Sequence, residues 1–124
     1  MDFKIDTKDS YTNITPPKAA LDAIMTDAIR QNYHELVGNG CQNIVLGLQE
    51  CTSVSEDGVK GLLALHEDSY STGRSLVVTG LTGSVAQQMK DIALSSALNI
   101  APTLAEAIDI INMEILERDL FSEE

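Results

Sequence analysis

Two short apolar runs separated by a helical pattern constrain the fold of this chain more than any other feature. Residues 43–48 (NIVLGL) and 75–79 (SLVVT) have strand length and contain almost no charge or alternation. Such runs are typical of strands that are covered on both faces. Between them, residues 56–71 carry apolar side chains at helical spacing. A strand, a helix and a second buried strand in succession predict a parallel crossover, and therefore an α/β fold.

The rest of the chain extends this pattern in both directions. Residues 3–5 and 11–15 have β character around a polar turn and predict an opening hairpin, and residues 20–37 predict a helix. Ser84 and Thr103 each begin a predicted capping box and a helix, with a short strand predicted at 99–101. The predicted order is ββαβαβαβα, a mixed sheet of about five strands with about four helices. In the last helix we expect five residues to face inward: Leu104, Ala107, Ile108, Ile111 and Ile115.

Length and charge limit the classes of function. A chain of 124 residues predicts one domain over 1–124, and we expect residues 117–124 to form a frayed acidic tail. The net charge of −11 disfavours nucleic acid and anionic membranes as partners and favours a basic protein surface, although charge also serves solubility alone. No apolar run reaches the ~20 residues of a membrane span, and the first residues do not resemble a signal peptide, so we expect a cytoplasmic protein.

The cysteines and histidines predict neither a metal site nor a disulfide. Cys41 and Cys51 flank the apolar run 43–48, which would hold them too far apart to bridge. We expect two free, half-buried thiols. His34 and His66 lie on separate predicted helices, where a satisfied core or surface histidine is the simplest interpretation. We therefore predict no zinc site and no cofactor.

The junction after the first buried strand, residues 46–59, is the candidate site. Ser55 is placed to cap the following helix, and Glu56 and Asp57 in its first turn would complement the helix dipole. Adjacent carboxylates on a helix point about 100° apart and would not converge on one substrate atom, which argues against catalysis. Gly58 and Gly61 suggest close approach of a neighbouring segment or of a partner. The junction therefore predicts a binding surface in a protein that is not an enzyme.

Several motifs, in order, resemble the STAS domain of bacterial anti-sigma factor antagonists. The central signature of that family is Leu-Asp-Leu-Ser-x-Val-x-Phe-(Ile/Met)-Asp-Ser-Ser-Gly-Leu, and residues 46–59 align with it without a gap. Matching positions are Leu46, Leu48, Cys51 at the valine, Val54 at Ile/Met, and Gly58-Val59. Leu21-Asp22 upstream, and Gly73, LVVTG (76–80) and Pro-Thr-x-x-Glu-Ala (102–107) downstream, also fit. The resemblance covers essentially the whole chain and implies the STAS fold.

One departure from the family pattern bears directly on function. The Asp-Ser-Ser triplet of the family is here Ser55-Glu56-Asp57, so Glu56 occupies the position of the serine that a cognate anti-sigma factor kinase phosphorylates. Glutamate cannot accept a phosphoryl group, and it carries one negative charge where phosphoserine carries about −1.5 to −2. Glu56 is either a permanent mimic of the phosphorylated state or a mark of a different partner. If phosphorylation has moved, Ser53 and Thr52 are better candidates than Ser55.

The resemblance implies a regulatory protein–protein interaction module. Its expected partner is an anti-sigma factor serine kinase or a related regulatory protein, and the oligomeric state stays open. The predicted partner-binding residues are Asp22, Ser55, Glu56, Asp57, Gly58, Lys60 and Gly61. One alternative is a STAS domain that senses a small ligand or nucleotide and binds its anionic group at the helix N-terminus. Another is a subunit of a larger STAS-containing assembly. The carboxylates at 56 and 57 argue against an anionic ligand.

Overall fold

A computed structural model of the chain describes residues 2–92 and 98–122. Its strands are β1 (Lys4–Thr7), β2 (Thr12–Thr15), β3 (Ala20–Leu21), β4 (Asn43–Gly47), β5 (Ser53–Val54) and β6 (Ser75–Thr79). Its helices are α1 (Ala23–Gly38), α2 (Glu56–Ser71), α3 (Gly83–Ile92) and α4 (Leu104–Ser122). Among these described residues, no helix is long and apolar enough to cross a bilayer.

The main sheet is mixed and has the strand order β1-β2-β4-β6. β1 and β2 form the predicted antiparallel hairpin, and β2–β4 and β4–β6 pair in parallel. The predicted strand at 99–101 is reduced to one parallel bridge between Val78 and Ile100. The main sheet therefore has four strands in the described chain.

A second, two-stranded sheet contradicts the predicted start of the first helix. Ala20 and Leu21 pair in parallel with Ser53 and Val54, so the chain at 20–21 is a strand. The helix begins only at Ala23, because extended Asp22 caps it by accepting a hydrogen bond from the backbone N–H of Met25 at 2.9 Å. Tertiary pairing with β5 here overrides the helical spacing of the sequence.

The two predicted capping boxes have different outcomes. Thr103 caps α4 as predicted, since its Oγ1 accepts a hydrogen bond from the backbone N–H of Glu106 at 3.2 Å. Ser84 does not cap α3. That helix begins at Gly83, and the N–H of Ala86 already donates to the carbonyl oxygen of Thr82 at 3.3 Å. Ser84 therefore lies inside the first turn.

Helices cover the main sheet unequally on its two faces. The larger core lies between the sheet and α1–α3, and includes the alternate strand residues Ile44, Leu46, Leu76 and Val78. On the other face, α4 is the only helix in the described part of the chain, and it packs Ala107 and Ile111 against Val45 and Val77. Of the residues expected to face inward on α4, Ile108 and Ile115 are half-buried, whereas Leu104 is exposed. Leu104 lies in the first turn, where α4 has just left the sheet edge, and the prediction for it was wrong.

Helix α4 extends into segment 117–124, where we predicted a frayed acidic tail, and continues to Ser122. Arg118 anchors this part by donating hydrogen bonds to Ser75 Oγ at 2.7 Å and to Asn43 Oδ1 at 2.5 Å. These two acceptors lie at the first residues of β6 and β4, so α4 runs back along the sheet towards the N-terminal ends of the strands.

Both cysteines are free and half-buried, as predicted. The Cys41 thiol lies 3.5 Å from Thr12 Oγ1, and the Cys51 thiol donates to the carbonyl oxygen of Ser53 at 3.0 Å. Burial raises the pKa of the Cys51 thiol, because desolvation disfavours the thiolate.

Candidate functional site

The small sheet places two helix N-termini side by side. β3 and β5 pair in parallel with Leu21 opposite Val54, and each strand is followed by one capping residue and a helix. Asp22 caps α1 and Ser55 caps α2. Because both helices leave the paired strands at the same edge, the positive ends of their two dipoles lie next to each other.

Ser55 joins these two N-termini. Its backbone N–H donates to the carbonyl oxygen of Leu21 at 3.0 Å, and its hydroxyl lies 3.4 Å from the same oxygen. The hydroxyl oxygen also accepts a hydrogen bond from the backbone N–H of Gly58 at 3.2 Å. The predicted cap is confirmed. The Ser55 hydroxyl is thus engaged both as a donor and as an acceptor.

Glu56 and Asp57 are exposed in the first turn of α2, and Lys60 is exposed one turn later. Over the described residues, the salt bridges join Lys8 to Asp6 and Arg30 to Asp27, away from this turn. The two carboxylates in the first turn of α2 therefore present their charge to solvent. Together with half-buried Asp22, they make the edge of the small sheet acidic.

Gly58 and Gly61 have a packing role. A β-carbon on Gly58 would lie 2.1 Å from the carbonyl oxygen of Leu21, and one on Gly61 would lie 2.5 Å from the Cβ of Thr26. Both contacts are far inside normal separations. The close approach expected at these glycines is confirmed, and its neighbours are β3 and α1. Gly58 itself is buried, so it supports the surface from beneath.

One supporting residue was missed from the sequence. The backbone N–H of Val54 donates to Gln88 Oε1 at 3.0 Å, so a side chain of α3 supplies the hydrogen-bond acceptor for this N–H of β5. No local pattern around Gln88 indicates this role, because the two residues are 34 positions apart.

Concave space near the site is small. The cavity that borders it, between Leu21, Met25, Leu48 and Cys51, measures about 10 Å³, room for roughly one water molecule. A cleft of about 970 Å³ lies at the opposite ends of the strands, beside Cys41, Asn43 and Arg118. Within residues 2–92 and 98–122, no group of three or more His, Cys, Asp or Glu side chains could hold a metal ion. The site offers a surface and not a pocket.

The two histidines lie apart from this surface. His34 is exposed on α1. His66 is half-buried on α2, with its ring centroid 4.5 Å from that of Tyr70. The described residues offer no hydrogen-bond partner to its buried Nε2. Desolvation lowers the pKa of His66, because burial disfavours the imidazolium.

Comparison with known proteins agrees with this architecture. Residues 4–107 match the family profile described as STAS domain. The fold is similar to a serine-to-glutamate variant of RsbS from Moorella thermoacetica, with 19% identity, a TM-score of 0.72, and coverage of 95% of this chain and 99% of that one. An anti-sigma factor antagonist from Thermotoga maritima, described as putative, shares 16% identity, with a TM-score of 0.74 and coverage of 89% and 94%.

A third similar structure is the anti-sigma factor antagonist SpoIIAA in its unphosphorylated form. It shares 17% identity, with a TM-score of 0.67 and coverage of 90% of this chain and 96% of that one. No curated protein sequence matches the chain significantly. The profile match spans most of the sequence, and the strand order and the paired helix N-termini lie within it. The chain belongs to the STAS domain family.

Proposed function

We propose that this chain is a regulatory protein–protein interaction module of the anti-sigma factor antagonist type, and that it has no enzymatic activity. Its partner is an anti-sigma factor serine kinase or a related regulatory protein. The observation that carries the proposal is the exposed carboxylate of Glu56 in the first turn of α2. It stands where the family resemblance places a phosphorylated serine.

The docking surface is the acidic helix-end surface, defined here as Asp22, Ser55, Glu56, Asp57 and Lys60. Three carboxylates oppose one ammonium group, and the cavity that borders them in the described part of the chain measures only about 10 Å³. Charged groups at the protein surface suit recognition by another protein, and the excess of negative charge favours a basic partner surface. Gly58 and Gly61 hold α2 against β3 and α1 and thereby keep the surface rigid.

Regulation by phosphorylation is absent at the usual position. Glu56 has no hydroxyl, and the hydroxyl of the preceding residue, Ser55, is occupied by its bonds to Leu21 and Gly58. Glu56 therefore gives the surface a charge that no kinase or phosphatase changes. Two explanations of that charge predict opposite effects on the affinity for the partner. As a phosphoserine mimic, Glu56 weakens binding to an anti-sigma factor kinase; as a new contact, it pairs with a cation on the partner.

The test begins with capture of the partner. The tagged full chain is used to isolate binding proteins from the source organism, and mass spectrometry identifies them. Recovery of an anti-sigma factor kinase or a related regulator supports the proposal. Recovery of other STAS proteins alone would favour a subunit of a larger STAS assembly. A thermal shift with nucleotides, and no captured protein, would favour a ligand sensor.

Calorimetry on the captured partner then separates the two accounts of Glu56. We expect Glu56→Ser to weaken binding by about 1–3 kcal/mol if the carboxylate pairs with a desolvated cation. The same change strengthens binding if Glu56 mimics phosphoserine. Glu67→Ser is the matched control, because it removes an exposed carboxylate from the same helix away from the first turn. Equal affinity of all three proteins would show that the partner binds elsewhere.

A further inference from the structure

Helix α4 is apolar on two opposite sides, and residues 2–92 and 98–122 cover only one of them. Its inner side packs Ala107 and Ile111, both fully buried, against the sheet. At 100° per residue, Met113 lies about 160° around the helix from Ile111. Leu116 and Leu120 follow Met113 at spacings of three and four residues, which places all three on one stripe. We call Met113, Leu116 and Leu120 the outer face of α4.

The outer face is exposed to an unusual degree for such side chains. Met113, Leu116 and Leu120 are 62%, 61% and 58% exposed, and neighbouring Phe121 is 72% exposed. A single exposed leucine is ordinary on a protein surface, but a continuous stripe marks an interaction site. A helix that is apolar on both sides is expected to be buried on both. The packing of α4 against the main sheet explains the apolar residues on its inner side alone.

Charge around the outer face indicates what covers it. Glu106, Asp109 and Glu117 are exposed on α4. Arg118 is turned to the sheet, where it bonds to Asn43 and Ser75. The last turn of α4 contains no basic residue, so the negative end of the helix dipole is not compensated within that turn. At 100° per residue, Glu106 and Asp109 lie on the same side of α4 as the stripe, N-terminal to Met113, and Glu117 lies beside it. Negative charge therefore adjoins the apolar stripe.

We propose that the outer face of α4 is a docking site for an amphipathic helix of a partner protein, with an apolar face flanked by lysine or arginine. The apolar face of that helix would cover Met113, Leu116 and Leu120, and its basic flanks would meet Glu106, Asp109 and Glu117. Charge decides against the other occupants. A second copy carries the same net charge of −11 and would bring like charges together, and an anionic membrane surface is repelled for the same reason.

This site is separate from the acidic helix-end surface. α4 lies on one face of the main sheet, and α2 lies on the other with α1. The stripe also occupies the part of α4 near Arg118, which bonds at the N-terminal ends of β4 and β6, whereas Ser55 lies at the small sheet. Both surfaces can be occupied at once, so the outer face could connect a regulator to a second protein.

The probes are three designed helical peptides of about 20 residues that share one composition of apolar residues. The first has leucines on one face and lysines and arginines on the flanks. The second replaces the basic flanks with glutamates, and the third scrambles the order of the first. Fluorescence anisotropy measures the affinity of each labelled peptide for the full chain at low and at high salt. We expect the basic amphipathic peptide to bind at least tenfold more tightly than the other two, and less tightly at high salt.

Matched variants locate the site. Leu116→Gln/Leu120→Gln removes the centre of the stripe while leaving the buried side of α4 intact. Ile24→Gln is the control, because Ile24 is 71% exposed on α1 and lies outside α4. We expect the double variant to bind the basic peptide at least tenfold more weakly and Ile24→Gln to bind it as the wild type does. Circular dichroism and urea unfolding check that both variants are folded.

Four outcomes would overturn the proposal. The first is equal affinity for the basic and glutamate-flanked peptides, and the second is unchanged affinity in the double variant. The third is a wild-type dimer in sedimentation that the double variant abolishes, which would assign the outer face to a second copy. The fourth is co-sedimentation with anionic phosphatidylserine vesicles that depends on Leu116 and Leu120, which would assign it to a membrane.

Discussion

The α-carbon of Gly58 faces the carbonyl group of Leu21 so closely that a β-carbon would lie 2.1 Å from the carbonyl oxygen. The first turn of α2 therefore touches the backbone of β3 directly. This contact brings the two helix N-termini together and places Glu56 beside the cap of α1. The geometry of the candidate site depends on the missing side chain of Gly58.

We predict that Gly58→Ala lowers the free energy of unfolding by about 1–3 kcal/mol, because the added methyl group meets backbone that cannot rotate away. Urea denaturation measures the change. Gly38→Ala is the control: Gly38 is also helical, and a β-carbon there meets nothing within 4 Å. We expect that variant to be unchanged or slightly more stable. A Gly58→Ala protein as stable as Gly38→Ala would contradict the close contact.

An anti-sigma factor kinase should phosphorylate position 56 only when the residue there carries a hydroxyl group. We predict no phosphate on wild-type Ser55, because its oxygen caps α2 and bonds at β3. The variant Glu56→Ser should become a substrate. Phosphopeptide mapping after incubation with a kinase active on ordinary relatives tests both statements. Stoichiometric phosphate on Ser55 would disprove the first, whereas phosphate on Ser53 or Thr52 would show that the regulatory site has moved.

His66 should make stability depend on pH in the mildly acidic range. Burial lowers its pKa in the folded state below the ordinary 6.5, against the opposing effect of Glu114 and Glu67. Between the two pKa values the unfolded chain binds a proton at His66 and the folded chain does not. The free energy of unfolding therefore falls as pH drops below 6.5 towards the folded pKa. We expect the stability difference between wild type and His66→Gln to shrink over this range. A stability difference that stays constant over this range would contradict the lowered pKa of His66.

Half-buried Tyr70 connects α2 to α4 through its hydroxyl group. Its oxygen donates to Glu114 Oε1 at 2.7 Å and accepts from Asn99 Nδ2 at 2.6 Å. We predict that Tyr70→Phe lowers the free energy of unfolding by about 1–3 kcal/mol, because a charged acceptor loses its donor. Tyr11→Phe is the control, since its ring also packs beside α4. Equal stability of the two variants would show that the hydroxyl bonds contribute nothing.

The same hydroxyl predicts an alkaline effect. Burial, and then Glu114, raise the pKa of Tyr70 to about 12 in the folded chain, from an ordinary value of 10.0. The unfolded chain releases this proton first, so wild-type stability should fall as pH rises from 10 towards 12. Unfolding measured across this range should show a shallower decline for Tyr70→Phe than for the wild type. An identical slope would contradict the raised pKa.

The sequence by itself determined the elements whose signals are local. The apolar runs at 43–48 and 75–79 and the helical spacing at 56–71 correspond to β4, β6 and α2, because burial on one or two faces imposes a period on the residues. The cap at Ser55 was also predictable from the sequence, because capping needs only a short polar side chain before a helix. The gap-free match to the family signature rests on these same residues.

Only the tertiary structure decided which neighbours these elements meet. Residues 20–21 have helical spacing yet form β3, because β5 supplies hydrogen bonds from more than 30 positions away. Gln88 acquires its role in the same non-local manner. For α4 the sequence predicted which side meets the sheet, and Ala107 and Ile111 are buried there. Only the tertiary structure shows that the described residues leave the opposite side uncovered, with Met113, Leu116 and Leu120 facing solvent.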